Sequence, residues 1–385
     1  MGELPMNGYH DTEFKGIGVS EESKAWSDLQ MLSFAPKTWT EDDVEIAITH
    51  CGICGSDIHS AFLSPYYLVP AQPCCIALSG GWGPVRPPLI VGHEIVGIAT
   101  KVGSNVEGIT VGDRVGVGAG IQSCHQCELC KRGDENYCGE LLWTYNGRYP
   151  DGVKTMGGYA TAIRANQQFV FPIPESLGSA EASSMLCAGL TVFQPLQRYN
   201  IGPGSKVGVI GIGGLGHYAV LFGKALGAEV TAFSHSPNKE TDVKKMGADK
   251  FIVSSAGFEK SLRRYYDLII CTIDVTAGFP LAEYLSTLYP LGTLIMVGLP
   301  DDAMPAIRAG NLTASGVKLG GSSIGSKREA LKMLDLAVKH DIKPWIEVMP
   351  MSKAPEAVEL MRAGKARYRI ILEQDLQDAS VPSHL

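Results

Sequence analysis

The rhythm of apolar and polar positions changes twice along the chain. Up to about residue 180, short β-type runs such as VEIAITH, EIVGIATKVG and DRVGVGAG alternate with turns, in a background rich in Gly, Pro and Cys. This predicts an irregular, mostly β region. From about 181 to 325 the runs SKVGVIG, AEVTAFS, YDLIICTI and GTLIMVGL are nearly continuous in apolar residues, as in strands buried on both faces. Helical patterns such as HYAVLFGKALG separate them. Alternation of this kind predicts a parallel sheet with helices on both faces. After 325, KREALKMLDLAVKHD and APEAVELMRAG carry the period of amphipathic helices, and ARYRIILE reads as a closing strand. No internal repeat or low-complexity segment interrupts this order.

Composition narrows the picture. A chain of 385 residues is longer than one hydrophobic core usually fills, so two domains are expected. A content of 45% hydrophobic and 19% charged residues is that of a soluble globular protein. The net charge of -7 and the lack of any Lys/Arg block argue against a nucleic-acid partner. No run approaches the roughly 20 apolar residues that span a bilayer, so no membrane role is expected. The start, MGELPMNGYHDTEFKG, has no basic segment followed by an apolar one, and so no signal-peptide pattern. The expected compartment is therefore reducing, that is, cytoplasmic. Ser383-His384-Leu385 resembles the Ser-Lys-Leu peroxisomal address, with a frayed tail as the alternative. In a reducing compartment ten cysteines need a reason other than disulfides.

Four of them supply one. Cys124, Cys127, Cys130 and Cys138 lie in CHQCELCKRGDENYC, a spacing that lets four thiolates close a tetrahedral Zn²⁺ site with no open position. A closed shell admits no substrate, so this zinc is expected to be structural. Other candidate ligands are dispersed: Cys51, Cys54, Asp57 and His59 in CGICGSDIH, His93 and Glu94 in PLIVGHEIVG, and Cys187 in SSMLCAGLT. A catalytic zinc takes three protein ligands and keeps one exchangeable place. Each of these residues alone is more often a packed core residue or a solvent-linked histidine.

KVGVIGIGGLGHYAV places Gly211, Gly213, Gly214, Leu215 and Gly216 between an expected strand and an expected helix. Glycines there let backbone amides approach a pyrophosphate at the helix N-terminus, the fingerprint of a dinucleotide site. The end of the next strand discriminates between nicotinamides. A ribose 2′-hydroxyl wants an acidic residue about 20 positions past the glycines. The chain instead reads Ser234-His235-Ser236-Pro237-Asn238-Lys239, whose hydroxyls, imidazole and ammonium suit a 2′-phosphate.

Cys54 in GICGSDIH, the GHE-x-x-G element at His93-Glu94, the four-cysteine lobe and the downstream glycine loop occur in the order seen in zinc-containing medium-chain alcohol dehydrogenases. The MLCAGLT segment and the S-x-S-x-x-K pattern at 234–239 resemble most the cinnamyl alcohol dehydrogenase branch, over about residues 40 to 373. The resemblance implies an α/β fold, with a chaperonin-10-like (GroES-like) β domain at 1–180 and 326–385 and a doubly wound Rossmann domain at 181–325. It implies two zinc ions per chain. Cys54, His93 and Cys187 would hold the catalytic one, Glu94 would be a carboxylate able to exchange with water, and Asp57 would orient His93. Cys51 is not expected to bind metal. By the same resemblance Thr191, Cys271-Thr272, Val297-Gly298 and Ser322-Ser323-Ile324 line NADP(H), and Arg369 reaches its phosphates. The implied reaction is reversible hydride transfer between NADP(H) and primary alcohols or aldehydes, aromatic or medium-chain. Ser56 and His59 would relay a proton, a role suited to an imidazole that titrates near neutrality. The implied assembly is a homodimer joined through the Rossmann sheets. Trp82, Trp143 and Tyr145 are candidates for the substrate pocket.

One stretch departs from the pattern. Residues 60 to 92 separate His59 from His93, and removing about 18 of them, Ala61 to Leu78, leaves what reads as an uninterrupted family member. Residues 61–78 are therefore expected to be an insertion. One origin is a loop beside the active-site mouth, with Tyr66, Tyr67 and Leu68 reshaping it. The other is untranslated sequence wrongly included in the assigned coding sequence, with the twin cysteines Cys74-Cys75 outside either zinc site. Two rivals stand beside the main reading: a polyol or secondary-alcohol dehydrogenase of the same fold, and a non-catalytic NADPH-binding form disabled by the insertion.

Overall fold

The computed structural model describes residues 13–23, 28–61, 87–300 and 302–376. An antiparallel pair, β1 (Phe14–Gly18) and β2 (Gln30–Phe34), precedes β3 (Asp43–Gly52) and the short helix α1 (Gly55–Ala61). Then come β4 (Glu94–Val102), β5 (Arg114–Val117), β6 (Gly120–Gln122), α2 (Glu128–Lys131), β7 (Leu142–Trp143), β8 (Ala162–Asn166) and β9 (Val170–Pro172). Helix α3 (Ser179–Ser184) runs through a π-turn at Met185–Gly189 into α4 (Leu190–Arg198).

The next stretch alternates as expected. It holds β10 (Lys206–Ile210), α5 (Gly216–Ala225), β11 (Glu229–Ser234), α6 (Glu240–Lys245) and β12 (Lys250–Val253). Then follow β13 (Tyr266–Cys271), α7 (Leu281–Thr287), β14 (Leu288–Met296), α8 (Gly310–Thr313) and β15 (Lys318–Gly321). Helix α9 (Lys327–Lys339), β16 (Ile346–Pro350), α10 (Ala354–Arg362) and β17 (Arg369–Glu373) end the described chain.

Two large sheets organise these elements. The six-stranded one is parallel throughout, in the order β12-β11-β10-β13-β14-β15. This is a doubly wound sheet, and its order reverses between β10 and β13, where such sheets bind ligands. The sequence pattern singled out β10, β11, β13 and β14 but not β12 and β15. Those two are the edges, half-buried or exposed along their length, so they carry no continuous apolar run. The seven-stranded sheet has the order β16-β17-β3-β4-β5-β9, with β8 on β3. Strand β3 pairs with β8 along its first half and with β17 at its end, so the last strand closes a sheet begun some 320 residues earlier.

The two sheets share a core. One buried cluster joins Val96 and Phe171 of the seven-stranded sheet to Val207, Val209 and Val230 of the other. Met185, Leu186, Ala330 and Met333, from the π-turn and α9, fill the space between. Burying each of the larger of these side chains is worth about 1.5–3 kcal/mol, and this shared packing holds the two sheets at a fixed distance. The sites described next lie along that junction. Among the described residues no helix is long and apolar enough to cross a membrane.

Candidate functional site

Strand register builds the first cluster. In the β3–β4 pair, Gly52 faces Glu94 and Cys51 faces Ile95, so the exit of β3 lies beside the entry of β4. Cys54 follows directly, anchored by the Ile53 amide donating to Ile370 O of β17 at 2.9 Å. The π-turn between α3 and α4 supplies Cys187, and extra-wide turns of this kind re-aim a side chain out of a helix. One ligand atom each from Cys54, His93, Glu94 and Cys187 then lies within 4.8 Å of the others. The sulfurs of Cys54 and Cys187 are 3.9 Å apart, and His93 Nε2 is 3.1 Å from Cys187 Sγ. Two thiolates bound to one tetrahedral Zn²⁺ at about 2.3 Å stand roughly 3.8 Å apart, so the donor set fits that ion. Cys51 is buried beside the cluster but outside it.

Asp57, in α1, is buried and accepts from the Cys54 amide at 2.9 Å, the Gly92 amide at 3.2 Å and Tyr159 Oη at 3.1 Å. Its Oδ1 is 3.3 Å from His93 Nδ1, which leaves Nε2 facing Cys187. Burial works against a charge on His93, but the Asp57 carboxylate and Cys54 raise its pKa well above the usual imidazole value. The hydrogen bond from Cys187 holds Cys54 well below an ordinary thiol, and the same contact raises Cys187. Burial pushes Glu94 up to about 7 against the pull of Arg369, with which it forms a buried ion pair. Ser56 Oγ is 3.4 Å from Cys54 Sγ. His59 belongs to α1 by its backbone, and its side chain lies outside the described residues.

The second cluster is closed. Sγ separations among Cys124, Cys127, Cys130 and Cys138 run from 3.5 to 3.9 Å, again the edge lengths of a tetrahedron around zinc. Amides of Cys127, Cys130 and Glu140 point at these sulfurs, the arrangement that favours thiolates. The amides of Gln126 and Cys127 lower Cys124 to about 7, whereas burial raises Cys130 to about 12. The lobe is tied to the helices at the junction. Arg198 of α4 bridges Asp134 and Glu329 at 2.7 Å each, and Lys327 N donates to Glu135 Oε1 at 2.6 Å.

The glycine loop follows β10 at the sheet's switch point. Gly211 has φ +85°, and a Cβ on Gly216 would fall on the Gly211 carbonyl oxygen, so both positions require glycine. Gly213 faces open space, and a Cβ on Gly214 would come within 2.8 Å of Arg369 Nη1. Thr272 Oγ1 donates to Gly211 O at 2.9 Å and holds the turn. Leu215 caps α5. At the end of β11, buried Ser234 accepts from the Ser236 amide at 3.1 Å, and Ser236 Oγ donates to Asn238 at 2.7 Å. His235 is exposed, while Lys239 is half-buried with Nζ 2.5 Å from Ile212 O of the glycine loop. Open backbone, a guanidinium and an ammonium along one groove fit a phosphorylated dinucleotide.

Arg369 spans the two places: one guanidinium contacts both the Glu94 carboxylate and the glycine loop. Other expected residues fall as follows. Thr191 is buried in α4, and the amides of Val297 and Gly298 both donate to Cys271 O. The Cys271 side chain lies in the sheet core, its thiol pushed up to about 12 by burial, so only its backbone borders the groove. Ser322 Oγ donates to Gln194, Ser323 N donates to Tyr137 Oη at 3.3 Å, and Ile324 takes φ +42°. Tyr145 is buried with its ring 5.5 Å from that of His93, but Trp143 is half-exposed on β7. Trp82, Tyr66, Tyr67, Leu68, Cys74, Cys75, residues 62–78 of the expected insertion and Ser383-His384-Leu385 lie outside the described residues. Sequence reasoning missed Tyr159, which comes 102 residues after Asp57 with no local signal, and Gln194 of α4, which accepts from Ser322 Oγ and read as an ordinary polar helix residue.

Residues 40–175 match the alcohol dehydrogenase GroES-like domain, and residues 214–339 match the zinc-binding dehydrogenase domain. A probable mannitol dehydrogenase from Mesembryanthemum crystallinum is 40% identical over 90% of this chain and 91% of its own length. The NADP-dependent alcohol dehydrogenase 6 of Saccharomyces cerevisiae is 36% identical over 94% of this chain and 96% of its own. A solved cinnamyl alcohol dehydrogenase from Sorghum bicolor superposes with a TM-score of 0.84 at 34% identity, covering 95% of this chain and all of the other.

Proposed function

The chain belongs to the zinc-binding alcohol dehydrogenase family, and on that premise we propose that it is an NADP(H)-linked zinc alcohol dehydrogenase that interconverts primary alcohols and aldehydes. The observation that carries this reading is Arg369, which touches Glu94 in one donor cluster and Gly214 in the glycine loop. A donor set that fits a metal and a glycine loop that fits a dinucleotide therefore meet at one arginine, as an alcohol dehydrogenase would need.

When bound, zinc would supply Lewis-acid polarisation and NADPH a hydride. The chain's own residues do the rest. Cys54, His93 and Cys187 are the proposed ligands, with Glu94 able to approach or withdraw as its pairing with Arg369 changes. Asp57, fixed by two amides and Tyr159, sets the orientation and tautomer of His93. The glycine loop and Arg369 position the pyrophosphate, and Ser234, His235, Ser236 and Lys239 meet the 2′-phosphate. Thr191, Cys271, Thr272, Val297, Gly298, Ser322, Ser323 and Ile324 are assigned to the walls of the groove. Ser56 and His59 are assigned to carry a proton between the substrate oxygen and solvent. Cys124, Cys127, Cys130 and Cys138 hold the structural zinc. We assign residues 1–180 with 326–385 to the catalytic unit and 181–325 to the cofactor unit.

Zinc content and aldehyde-dependent NADPH oxidation test the proposal together. About two zinc ions per chain and turnover with aromatic or medium-chain aldehydes are expected. About one zinc ion per chain, with NADPH bound but not oxidised, would support the form disabled by residues 61–78. A polyol reading is favoured by the mannitol relative, and faster NADP+ reduction with mannitol than with primary aromatic or medium-chain alcohols would establish it. We also propose a homodimer joined at the exposed edge strand β15, where Leu291, Leu299 and Met304 leave apolar surface nearby; light scattering after gel filtration decides it. The cytoplasmic address, with the peroxisome as the alternative set by the final tripeptide, is tested by a fluorescent fusion with and without residues 383–385.

A further inference from the structure

The segment that delivers Arg369 to the glycine loop carries a second arginine two residues earlier. Tyr368 is buried and stacked on His217 of α5, with ring centroids 5.7 Å apart and planes at 13°. Its Oη donates to Asp242 Oδ2 of α6 at 3.0 Å. These two contacts pin the approach to β17 between the first turn of α5 and the body of α6. Lys239 is the residue immediately before α6, and its Nζ is bonded to the glycine loop at Ile212 O. Arg367 is therefore placed beside the same end of α6, with its guanidinium 5.8 Å from the Tyr368 ring centroid.

Arg367 is exposed, and no carboxylate among the described residues lies within ion-pair distance of it. Half-buried Lys239 likewise has no carboxylate among the described residues within ion-pair distance. The two cations feel one another: after burial, repulsion from Arg367 is the main influence depressing Lys239. Asp242 is the acid that offsets this, and it is engaged by Tyr368. Two neighbouring cations with no carboxylate in ion-pair contact favour an anion that bridges them. The remaining groups at this rim, Ser234, Ser236 and His235, are hydroxyls and an imidazole.

We infer that Arg367 is a specificity-determining residue that, with Lys239, clamps the 2′-phosphate of the cofactor's adenosine ribose. The inference rests on the NADP(H) reading above. It adds a cation from the C-terminal strand segment to the Ser-x-Ser-x-x-Lys loop, so that one short stretch, Arg367-Tyr368-Arg369, addresses both the pyrophosphate and the 2′-phosphate of the dinucleotide. An arginine fork donates to two phosphate oxygens at once in a fixed plane, which an ammonium does not.

Calorimetric titration with adenosine 2′,5′-bisphosphate and with adenosine 5′-monophosphate tests this without turnover. The wild-type holoprotein should bind the bisphosphate far more tightly. Arg367→Gln should weaken bisphosphate binding roughly tenfold or more, as expected for a charge-assisted contact, and leave the monophosphate within about twofold. Arg367→Lys should recover part of the loss. If Arg367→Gln keeps the wild-type preference, or weakens both nucleotides equally, the inference is overturned while the NADP(H) reading stands. If the wild-type protein binds both nucleotides equally, the NADP(H) reading itself fails and the inference with it.

Discussion

His217 should make this protein acid-labile in a way that one substitution removes. The residue is fully buried at the start of α5, with Nδ1 2.9 Å from Gly214 O and no partner for Nε2. Burial, and then the nearby Arg369 guanidinium, push its pKa down to about 3. In the unfolded chain it would titrate near 6.5. Below that value the unfolded state binds a proton that the native state refuses, so stability falls as pH falls. The loss amounts to about 1.4 kcal/mol per pH unit, or roughly 3 kcal/mol between pH 6.5 and 4.5. His217→Asn keeps a short amide donor toward Gly214 O but has no group that titrates. It gives up the stacking on Tyr368 and the tilted ring contact with Tyr218, so at pH 8 it should be less stable by about 1–3 kcal/mol. Urea unfolding followed by fluorescence at pH 8, 6.5, 5.5 and 4.5 measures both proteins. The deficit of the variant should shrink on acidification and reach zero or reverse by pH 4.5. Acid loss of zinc affects both proteins alike and cancels in the difference. Parallel curves would refute the reasoning and mean that His217 is protonated, or accessible to protons, in the native state.

Other outcomes follow from the same contacts. Gly216→Ala puts a methyl group on the Gly211 carbonyl oxygen, a backbone atom that cannot turn aside as a side chain could, and should cost roughly 100-fold or more in NADPH affinity, read by fluorescence titration. Cys127→Ser should take zinc from about two to about one ion per chain by atomic absorption and lower the thermal midpoint, because the lobe that anchors Asp134 and Glu135 loses its cross-link. Arg198→Met leaves Glu329 buried without its cation and should cost about 2 kcal/mol in urea unfolding, with zinc content unchanged. Burial and Arg367 both lower Lys239, so preference for adenosine 2′,5′-bisphosphate should decline on the alkaline side below the usual lysine range. Arg367→Gln should move that decline to higher pH, and an unmoved profile would show that the two cations do not interact.

The sequence by itself determined the local pieces whose signals are short in range. Four cysteines within one loop can reach a common ion whatever the rest of the chain does, and their sulfurs do converge at 3.5 to 3.9 Å. A glycine turn between an apolar strand and a helix reads as such because the φ of Gly211 and the close approach at Gly216 allow no other residue. The inner strands β10, β11, β13 and β14 were legible because burial on both faces demands continuous apolar runs, whereas the edges β12 and β15 were not. Cys54, His93 and Cys187 could be singled out only by resemblance, since nothing local distinguishes one buried cysteine or histidine from another. Tertiary structure decided their meeting. The β3–β4 register sets Gly52 against Glu94, and a π-turn rotates Cys187 toward them. Tertiary structure also decided that Arg369, which the resemblance tied only to the cofactor phosphates, contacts the Glu94 carboxylate as well as the glycine loop. The physical reason is separation along the chain. Register, helix winding and sheet closure place residues hundreds of positions apart within a few ångströms, and a pattern read along the chain carries no record of that distance.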